Sequence, residues 1–338
     1  MRPTLARLSA PNTSYRRLRW LAVPLATAAI VLTACGGPGH PPSMRKSAAN
    51  TPSSTTYDSG PNSPATPSKD SATEPVDGQA VDPARFVPGA CMRFPPTSAG
   101  RHLTVFLDAG HGGIDPGAIG TTTSGHQLKE ADLTLPVELD AMADLRQAGY
   151  TVVVSRTAAT TVARLGPGDE SGGVFTIQGS HRDVAARAIC ANEAHADLLA
   201  GIYFNAGSSP ANAGCLTGYD PVRAFAASNL RFAQLLQHDV LSALNNQGWQ
   251  IPDDGVLADD KLGSSLNAAD VSYGHLMLLG PAKSGYFTTP SAMPGALIEP
   301  LYITDPFEAS IAASAHGQQV IAAGIAAAVE QYFAATAP

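Results

Sequence analysis

Beyond residue 100, apolar positions follow two alternating patterns, which predict strands separated by helices. Runs of β-branched and aliphatic residues predict strands at 102–108, 150–156, 197–206, 274–280 and 295–303. Helical spacing predicts helices at 130–147, 181–195, 230–244 and 311–333. In the first helix, apolar residues recur every four positions, at Leu133, Val137, Ala141 and Leu145.

This succession is typical of a single α/β domain, with a central, mostly parallel or mixed sheet and helices on both faces. Pro136 falls inside the first helix, so the helix either begins near Asp132 or is kinked there. Two Gly- and Asp-rich stretches, 166–180 and 249–273, lack periodicity. Loops of that length are usually functional or mobile, which leaves open whether they gate a site.

The first 34 residues have the features of an export signal. They carry five arginines and no acidic residue, and the apolar run from Trp20 to Ala34 is too short for a confident membrane span. Leu32-Thr33-Ala34-Cys35 resembles a bacterial lipobox, which predicts a lipid anchor at Cys35 on the outer face of the cytoplasmic membrane. The alternative is an ordinary cleaved signal followed by a chance cysteine.

Residues 35–90 are rich in Pro, Ser and Thr and bury too few apolar side chains to fold, so we expect a disordered tether. The folded domain is then expected at 91–338. Removal of residues 1–34 changes the formal net charge from −7 to −12, which argues against nucleic acid as a partner. Export permits a disulfide, and the sequence slightly favours Cys190–Cys215 over pairings with Cys91, because both flank one predicted strand.

Several polar side chains follow predicted strands, at the edge where α/β sheets gather ligands. His111 lies in the glycine-rich stretch after the first strand, Glu130 opens the next helix, and Glu299 lies in the 295–303 strand. The glycine stretch lacks the spacing of a phosphate-binding loop. It fits either a plain turn, since Asp115-Pro116-Gly117 is ordinary turn chemistry, or a metal site around His111.

Four blocks, in this order, resemble the zinc-dependent N-acetylmuramoyl-L-alanine amidases of bacterial cell walls. They cover most of 102–333: VFLDAGHGGIDPGAIG, KEADLTLPVELDAMADLRQAGYTVVVSR, RAICANEAHADLLAGIYFNAG and MPGALIEPLYITDPFEAS. The resemblance implies that His111 and Glu130 bind zinc and that Glu299 is the catalytic acid/base. Such a zinc ion activates water for hydrolysis of the amide bond between N-acetylmuramic acid and L-alanine in peptidoglycan.

The third zinc ligand of the family is a histidine in the motif Ser-Ile-His-x-Asn, where this chain has Gly201-Ile202-Tyr203-Phe204-Asn205. Tyr203 therefore occupies the usual histidine position, and a neutral phenol is a poor zinc ligand. Three alternatives stay open: Tyr203 binds as phenolate, zinc binding is lost, or another histidine takes its place. The candidate histidines are His126, His181, His195 and His275.

Other side chains of these blocks have less defined roles. Asp108 and Asp115 flank the glycine stretch and could orient His111, whereas Arg187 and Asn192 match the family's helix pattern and are expected to be structural.

Two functions follow from the sequence. The first is a lipid-anchored, zinc-dependent peptidoglycan amidase, and the second is an inactive amidase-like lipoprotein that binds peptidoglycan or regulates a cell-wall partner. Retention of His111, Glu130 and Glu299 favours the enzyme, and Tyr203 favours the alternative. The sequence identifies no protein partner, oligomeric state or stem-peptide preference.

Overall fold

The computed structural model describes residues 77–262 and 267–335, all within one compact unit. The signal peptide predicted at 1–34, the lipidated Cys35 and residues 35–76 of the predicted tether lie outside the described residues. Residues 77–90, also assigned to the tether, belong instead to the folded domain. Phe86 and Ala90 are buried there, and Gln79–Ala80 pairs with the sheet.

Eight strands form one mixed sheet in the spatial order β1-β2-β6-β3-β9-β12-β10-β11. Its strands are β1 (Gln79–Ala80), β2 (Ala90–Phe94), β3 (Thr104–Ala109), β6 (Thr151–Arg156), β9 (Leu198–Ile202), β10 (Cys215–Tyr219), β11 (Asp253–Ala258) and β12 (Gly295–Glu299). The central four, β6, β3, β9 and β12, are mutually parallel, whereas β2 and β10 run antiparallel to them. Two short hairpins complete the strands: β4 (Ile119–Thr121) with β5 (Gln127–Lys129), and β7 (Glu170–Ser171) with β8 (Val174–Phe175).

Helices cover both faces of the sheet, as predicted. They are α1 (Glu130–Gln147), α2 (Ile177–Glu193), α3 (Ala226–Asn245), α4 (Ala268–Tyr273), α5 (Pro306–Ala312) and α6 (Ala315–Ala334). Side chains of each strand alternate between two cores, because successive residues of a strand point to opposite faces. Val105 and Leu107 pack in the core under α1, α3 and α6, and Phe106 packs in the core under α2 and α4.

The predicted single α/β domain with a mixed sheet is confirmed. Helix α1 begins at Glu130 and contains Pro136. The predicted 311–333 helix is divided between two helices. The first ends at Ala312, and the Ser314 side chain accepts a hydrogen bond from the N–H of Gly317 at the start of the second. Strands β10 and β11 were not predicted. None of the described helices is both long and apolar enough to span a bilayer.

The strand predicted at 274–280 is wrong. These residues form turns after α4, which ends at Gly274 in a left-handed conformation with φ of 89°. Leu276 and Met277 are buried, but their N–H groups donate to the carboxylates of Asp259 and Asp270, at 3.0 and 2.7 Å, rather than to a neighbouring strand. A buried apolar run whose backbone amides bond to side chains thus has the same sequence pattern as a buried strand.

The expected Cys190–Cys215 pair is also wrong. Cys190 of α2 is bonded to Cys91 of β2, with their Cα atoms 5.7 Å apart, and Cys215 is a buried free thiol. The reason is the sheet itself: Cys91 and Cys190 lie in the core on one face, and Cys215 lies in the core on the other.

Glu138 of α1 hydrogen-bonds to two neighbouring strands, β3 and β6. Its Oε1 accepts hydrogen bonds from the N–H of Ala109 and from the N–H and hydroxyl of Ser155, at 2.9–3.1 Å. Its Oε2 is buried and has no hydrogen-bond partner among the described residues. Burial raises the pKa of Glu138 to about 7, although the neighbouring Arg156 acts in the opposite direction.

This shift predicts a pH-dependent effect of Glu138→Gln on stability. The raised pKa means that the neutral carboxyl stabilises the fold fully below about pH 4.5, and that this contribution is lost as the pH rises through about 7. The wild type loses this contribution as the pH rises, and Glu138→Gln does not. The unfolding free energy of the variant minus that of the wild type should therefore increase by up to about 3 kcal/mol between pH 4.5 and 8. Urea unfolding across this range measures the difference, and parallel pH profiles would contradict the shift.

Candidate functional site

Four segments bring the predicted site residues to one edge of the sheet. His111 follows β3, Glu130 begins α1, Tyr203 follows β9, and Glu299 ends β12. Because β3, β9 and β12 are parallel, their carboxyl ends meet at this edge. The structure thus brings together all four predicted residues.

The glycine stretch makes a tight turn that presents His111. His111 itself is left-handed with φ of 60°, a conformation that is uncommon outside glycine, and Gly112 and Gly113 follow with φ of 122° and 63°. Gly112 and Asp115 exchange backbone hydrogen bonds at 2.9 and 3.1 Å and close the turn. A Cβ at Gly113 would lie 2.7 Å from the backbone nitrogen of Thr161, so the turn packs against a neighbouring segment.

Two carboxylates hold the His111 ring. Its Nδ1 lies 2.9 Å from Oδ2 of Asp115, and its Nε2 lies 3.1 Å from Oε2 of Glu130. Burial lowers the pKa of His111, but Glu130 and Asp115 outweigh this and raise it to about 10. In this arrangement the ring is an imidazolium that donates to both carboxylates. Asp115 is therefore an orienting partner of His111 as well as a turn residue.

Glu130 is fixed by backbone amides from two other segments. Its Oε2 accepts from the N–H of Ala118 at 3.0 Å, and its Oε1 accepts from the N–H of Phe204 at 2.8 Å. The side chain lies in the first turn of α1, where the helix dipole stabilises a carboxylate. Its oxygens consequently keep one orientation, with Oε2 facing His111.

Arg187, buried on α2, ties the glycine stretch to the body of the domain. Its Nη1 donates to Oδ1 of Asp108 and to the carbonyl of Ala109, and its Nη2 donates to the carbonyl of His111 and to Asp183, all at 2.7–2.9 Å. Burial lowers the pKa of Arg187, but the two aspartates raise it well above its usual range, so the guanidinium stays charged. The structural role expected for Arg187 is thus that of an anchor for the backbone of His111.

Tyr203 belongs to the same network. Its hydroxyl donates to Oδ2 of Asp108 at 3.2 Å, and its ring meets His111 edge-on with centroids 5.3 Å apart. Burial, together with the Asp108 carboxylate, raises the pKa of Tyr203 well above its usual range, so the phenol is neutral. The ring passes so close to Gly110 that a Cβ at residue 110 would overlap it.

A cavity of about 160 Å³ opens beside His111. Its polar lining includes the carboxylates of Glu130, Asp270 and Glu299, and its apolar lining includes Leu276 and Leu297. Glu299 is buried at the end of β12. Burial raises the pKa of Asp270 to about 7, with Asp259 adding to the effect. Three acidic side chains therefore line the cavity beside His111.

The sequence patterns do not predict that Asp270 and Asn267 line this cavity. They lie in the 249–273 stretch, whose irregular composition gave no indication that part of it forms a wall of this cavity. The only signal in the sequence was the length of that stretch, which exceeds the usual length of a connection.

The other candidate histidines lie outside the cavity lining. His181 bonds the carbonyl of Tyr286 through Nε2 at 2.7 Å, and His275 faces Asp220 and Asp259. His126 lies near the β4–β5 hairpin and His195 at the end of α2. None of the four lines the cavity, so none of them replaces the expected third histidine in this arrangement. Asn192 is structural, because its side chain bonds the backbone of Pro290 and Ala292.

Comparisons with known proteins identify the family of this chain. Residues 105–331 match the Amidase_3 family, described as N-acetylmuramoyl-L-alanine amidase. The germination-specific N-acetylmuramoyl-L-alanine amidase of Bacillus subtilis is 25% identical over 229 residues, which are 68% of this chain and 79% of that protein.

Solved structures of two amidases are similar to this chain, and the first of them shares its fold. One is the CwlD amidase of Clostridioides difficile in complex with the GerS lipoprotein, with a TM-score of 0.52, 19% identity and coverage of 69% of this chain and 100% of that one. The other is AmiC2 of Nostoc punctiforme, with a TM-score of 0.48, 23% identity and coverage of 70% and 99%. The matched region contains the whole convergent site, from His111 to Glu299, and the chain belongs to the Amidase_3 family of N-acetylmuramoyl-L-alanine amidases.

Proposed function

We propose that this chain is a peptidoglycan amidase that hydrolyses the bond between N-acetylmuramic acid and the L-alanine of the stem peptide. In this proposal His111 and Glu130 hold a zinc ion and Glu299 is the acid/base. The observation that carries it is the 3.1 Å approach of His111 Nε2 to Glu130 Oε2 beside a cavity that Glu299 also lines. Family membership supports the reaction class.

The residues around His111 and Glu130 fit a metal ion. Imidazole nitrogen and carboxylate oxygen are ordinary zinc ligands, and atoms 3.1 Å apart suit two ligands of one ion. Gly117 leaves room at this point, because a Cβ there would lie 2.7 Å from both Glu130 Oε2 and His111 Cδ2. When bound, zinc supplies a Lewis acid that activates water and polarises the substrate carbonyl.

The neighbouring side chains prepare these two ligands. Asp115 accepts from Nδ1 of His111 and so leaves Nε2 as the nitrogen available to a metal. Since the carboxylates keep His111 protonated without an ion, metal binding must release this proton. The backbone amides of Ala118 and Phe204 hold the Glu130 carboxylate in place, which limits the entropy lost on binding.

In this proposal Glu299 transfers the proton of the reaction. A carboxylate in this cavity would accept a proton from the attacking water and donate it to the departing amine of L-alanine. The apolar side chains of Leu276 and Leu297 on the cavity wall limit the water around this carboxylate.

Tyr203, predicted as an uncertain third ligand, would have to leave Asp108 and lose its proton to bind zinc. Its raised pKa opposes that step. We therefore propose that two protein side chains hold the ion and that Tyr203 remains a hydrogen-bond donor to Asp108. The ligand roles of His111, Glu130 and Tyr203 stay predictions until metal binding is measured.

We propose further that the chain is exported and lipid-anchored at Cys35, facing peptidoglycan. The export-like residues 1–34 support this, and so does the Cys91–Cys190 disulfide, since such bonds persist in oxidising compartments.

Zinc content and stem-peptide release from purified peptidoglycan test the proposal. The wild type should hold one equivalent of zinc at His111 and Glu130 and release stem peptides. Glu299→Gln should keep the ion and lose activity by about 10²–10⁴-fold, as expected for removal of a general acid/base. Glu130→Gln should lose the equivalent that depends on His111 and Glu130, whereas Asp132→Asn, an exposed acid on the same helix, should change neither quantity. A metal-free wild type that binds peptidoglycan without cleaving it would instead support the inactive binding protein.

Variants of Tyr203 test the ligand set. Tyr203→Phe removes only the hydroxyl and should retain zinc, and Tyr203→His should tighten zinc binding because it restores the ligand usual in the family. Loss of zinc from Tyr203→Phe would show that the phenolate is a ligand.

Gly117→Ala should weaken zinc binding by about tenfold or more, equivalent to about 1.4 kcal/mol, because its methyl group would meet both ligands. Gly125→Ala is the matched control. Gly125 is also left-handed, with φ of 81° against 65° for Gly117, but no atom lies within 4 Å of a Cβ there. Both variants should lose roughly 1 kcal/mol of stability from backbone strain. Equal zinc affinities by calorimetry would contradict the proposed position of the ion.

A further inference from the structure

A second group of metal-ligand side chains lies at the opposite edge of the sheet. Asp220 follows β10, Asp259 follows β11, and His275 follows α4. Because β10 is antiparallel to β12, with Leu216 opposite Glu299, the chain reaches Asp220 level with the start of β12. This group is therefore separate from the His111–Glu130 pair.

One imidazole nitrogen faces both aspartates. Nδ1 of His275 lies 3.1 Å from Oδ1 of Asp259 and 3.2 Å from Oδ2 of Asp220. The remaining oxygens are used by the backbone: Oδ1 of Asp220 accepts from the N–H groups of Val222 and Arg223, and Oδ2 of Asp259 accepts from the N–H of Leu276. One oxygen of each carboxylate is thus held in place, and the other points towards His275.

The group is short of positive charge. Both aspartates are fully buried, and Nδ1 carries at most one proton, which it shares in a hydrogen bond with Asp259. Oδ2 of Asp220 accepts no hydrogen bond from any described residue, although it is buried and aimed at His275. A buried carboxylate oxygen with no donor is costly unless a cation compensates it.

The side chains of nearby cations hydrogen-bond other groups, and the Arg223 guanidinium acts on Asp220 only through its charge. The guanidinium of Arg223 donates to the carbonyls of Leu279, Gly280 and Ser291, and Lys261 pairs with the exposed Asp260. Solvent reaches the group through His275, whose side chain is 24% exposed. The two aspartates are thus buried, and the group meets solvent on the side of His275.

We propose that Asp220, Asp259 and His275 form a second cation site, which binds a divalent transition-metal ion such as Zn²⁺ or Mn²⁺. Each residue offers one ligand atom, and the three atoms lie within 4.8 Å of one another. Mixed imidazole and carboxylate ligands suit these ions better than Mg²⁺, which prefers an all-oxygen shell. Solvent completes the coordination on the open side.

An ion at this site would stabilise one wall of the cavity beside His111. His275 precedes Leu276, whose side chain lines that cavity and whose N–H donates to Asp259. Met277 donates in the same way to Asp270, another cavity residue. The ion would thus link the ends of β10 and β11 to the segment that forms this wall.

The test uses the full chain with the first site removed by His111→Ala and Glu130→Gln. With Zn²⁺ or Mn²⁺ as the probe, calorimetry should show one equivalent bound, together with a rise in Tm and slower hydrogen exchange at the amides of Leu276 and Met277. Mg²⁺ at the same concentration should give a smaller rise. Adding Asp220→Asn, or separately His275→Gln, should remove the bound equivalent and the rise in Tm.

Asp260→Asn is the matched control, because Asp260 is the exposed neighbour of Asp259 and should leave binding unchanged. Asp220→Asn keeps Oδ1 for the two backbone donors, so a folded variant is expected. Failure of the double variant to bind either ion would overturn the second site. Binding that survives both Asp220→Asn and His275→Gln would overturn it as well. Neither result tests zinc binding at His111 and Glu130, because both residues are replaced in these chains.

Discussion

The buried guanidinium of Arg187 is the constraint on which the site depends. It bonds Asp108 at the end of β3, the carbonyls of Ala109 and His111, and Asp183 on its own helix. Asp183 in turn accepts from the N–H groups of Val162 and Ala163. One charged group therefore fixes the left-handed turn that presents His111. Removing one partner of such a buried pair costs about 3–5 kcal/mol, so the turn has little freedom to adopt another shape.

The same network explains the environment of Tyr203. Asp108 accepts from Arg187 through one oxygen and from the Tyr203 hydroxyl through the other. The phenol therefore belongs to the hydrogen-bond network that holds the His111 turn. Because the pKa of Tyr203 is raised, the hydroxyl keeps its proton and donates a hydrogen bond to Asp108. A histidine at this position would lose the hydrogen bond of the Tyr203 hydroxyl to Asp108 and would provide a metal ligand instead. The chain has retained His111, Glu130 and Glu299 around a cavity whose acidic lining supports the proposed cation.

Sequence patterns predicted most elements that place the site. Helix α1 was predicted with its observed ends, and the edge where β3, β9 and β12 end was predicted from the apolar runs before His111, Tyr203 and around Glu299. Patterns failed where side chains replace backbone pairing, as at 274–280, where aspartates bond an apolar run. They also failed for cysteine pairing, because flanking the same strand in sequence does not place two residues on the same face. Asp270 reaches the cavity through an irregular segment, for which periodicity gives no information.

Anomalous diffraction at the zinc edge from crystals of the chain tests the central claim most directly. The account predicts one peak within bonding distance of His111 Nε2 and Glu130 Oε2, with the Tyr203 hydroxyl still hydrogen-bonded to Asp108. An empty position beside His111 at saturating zinc would contradict it. So would a zinc ion bound by Tyr203 after release of Asp108.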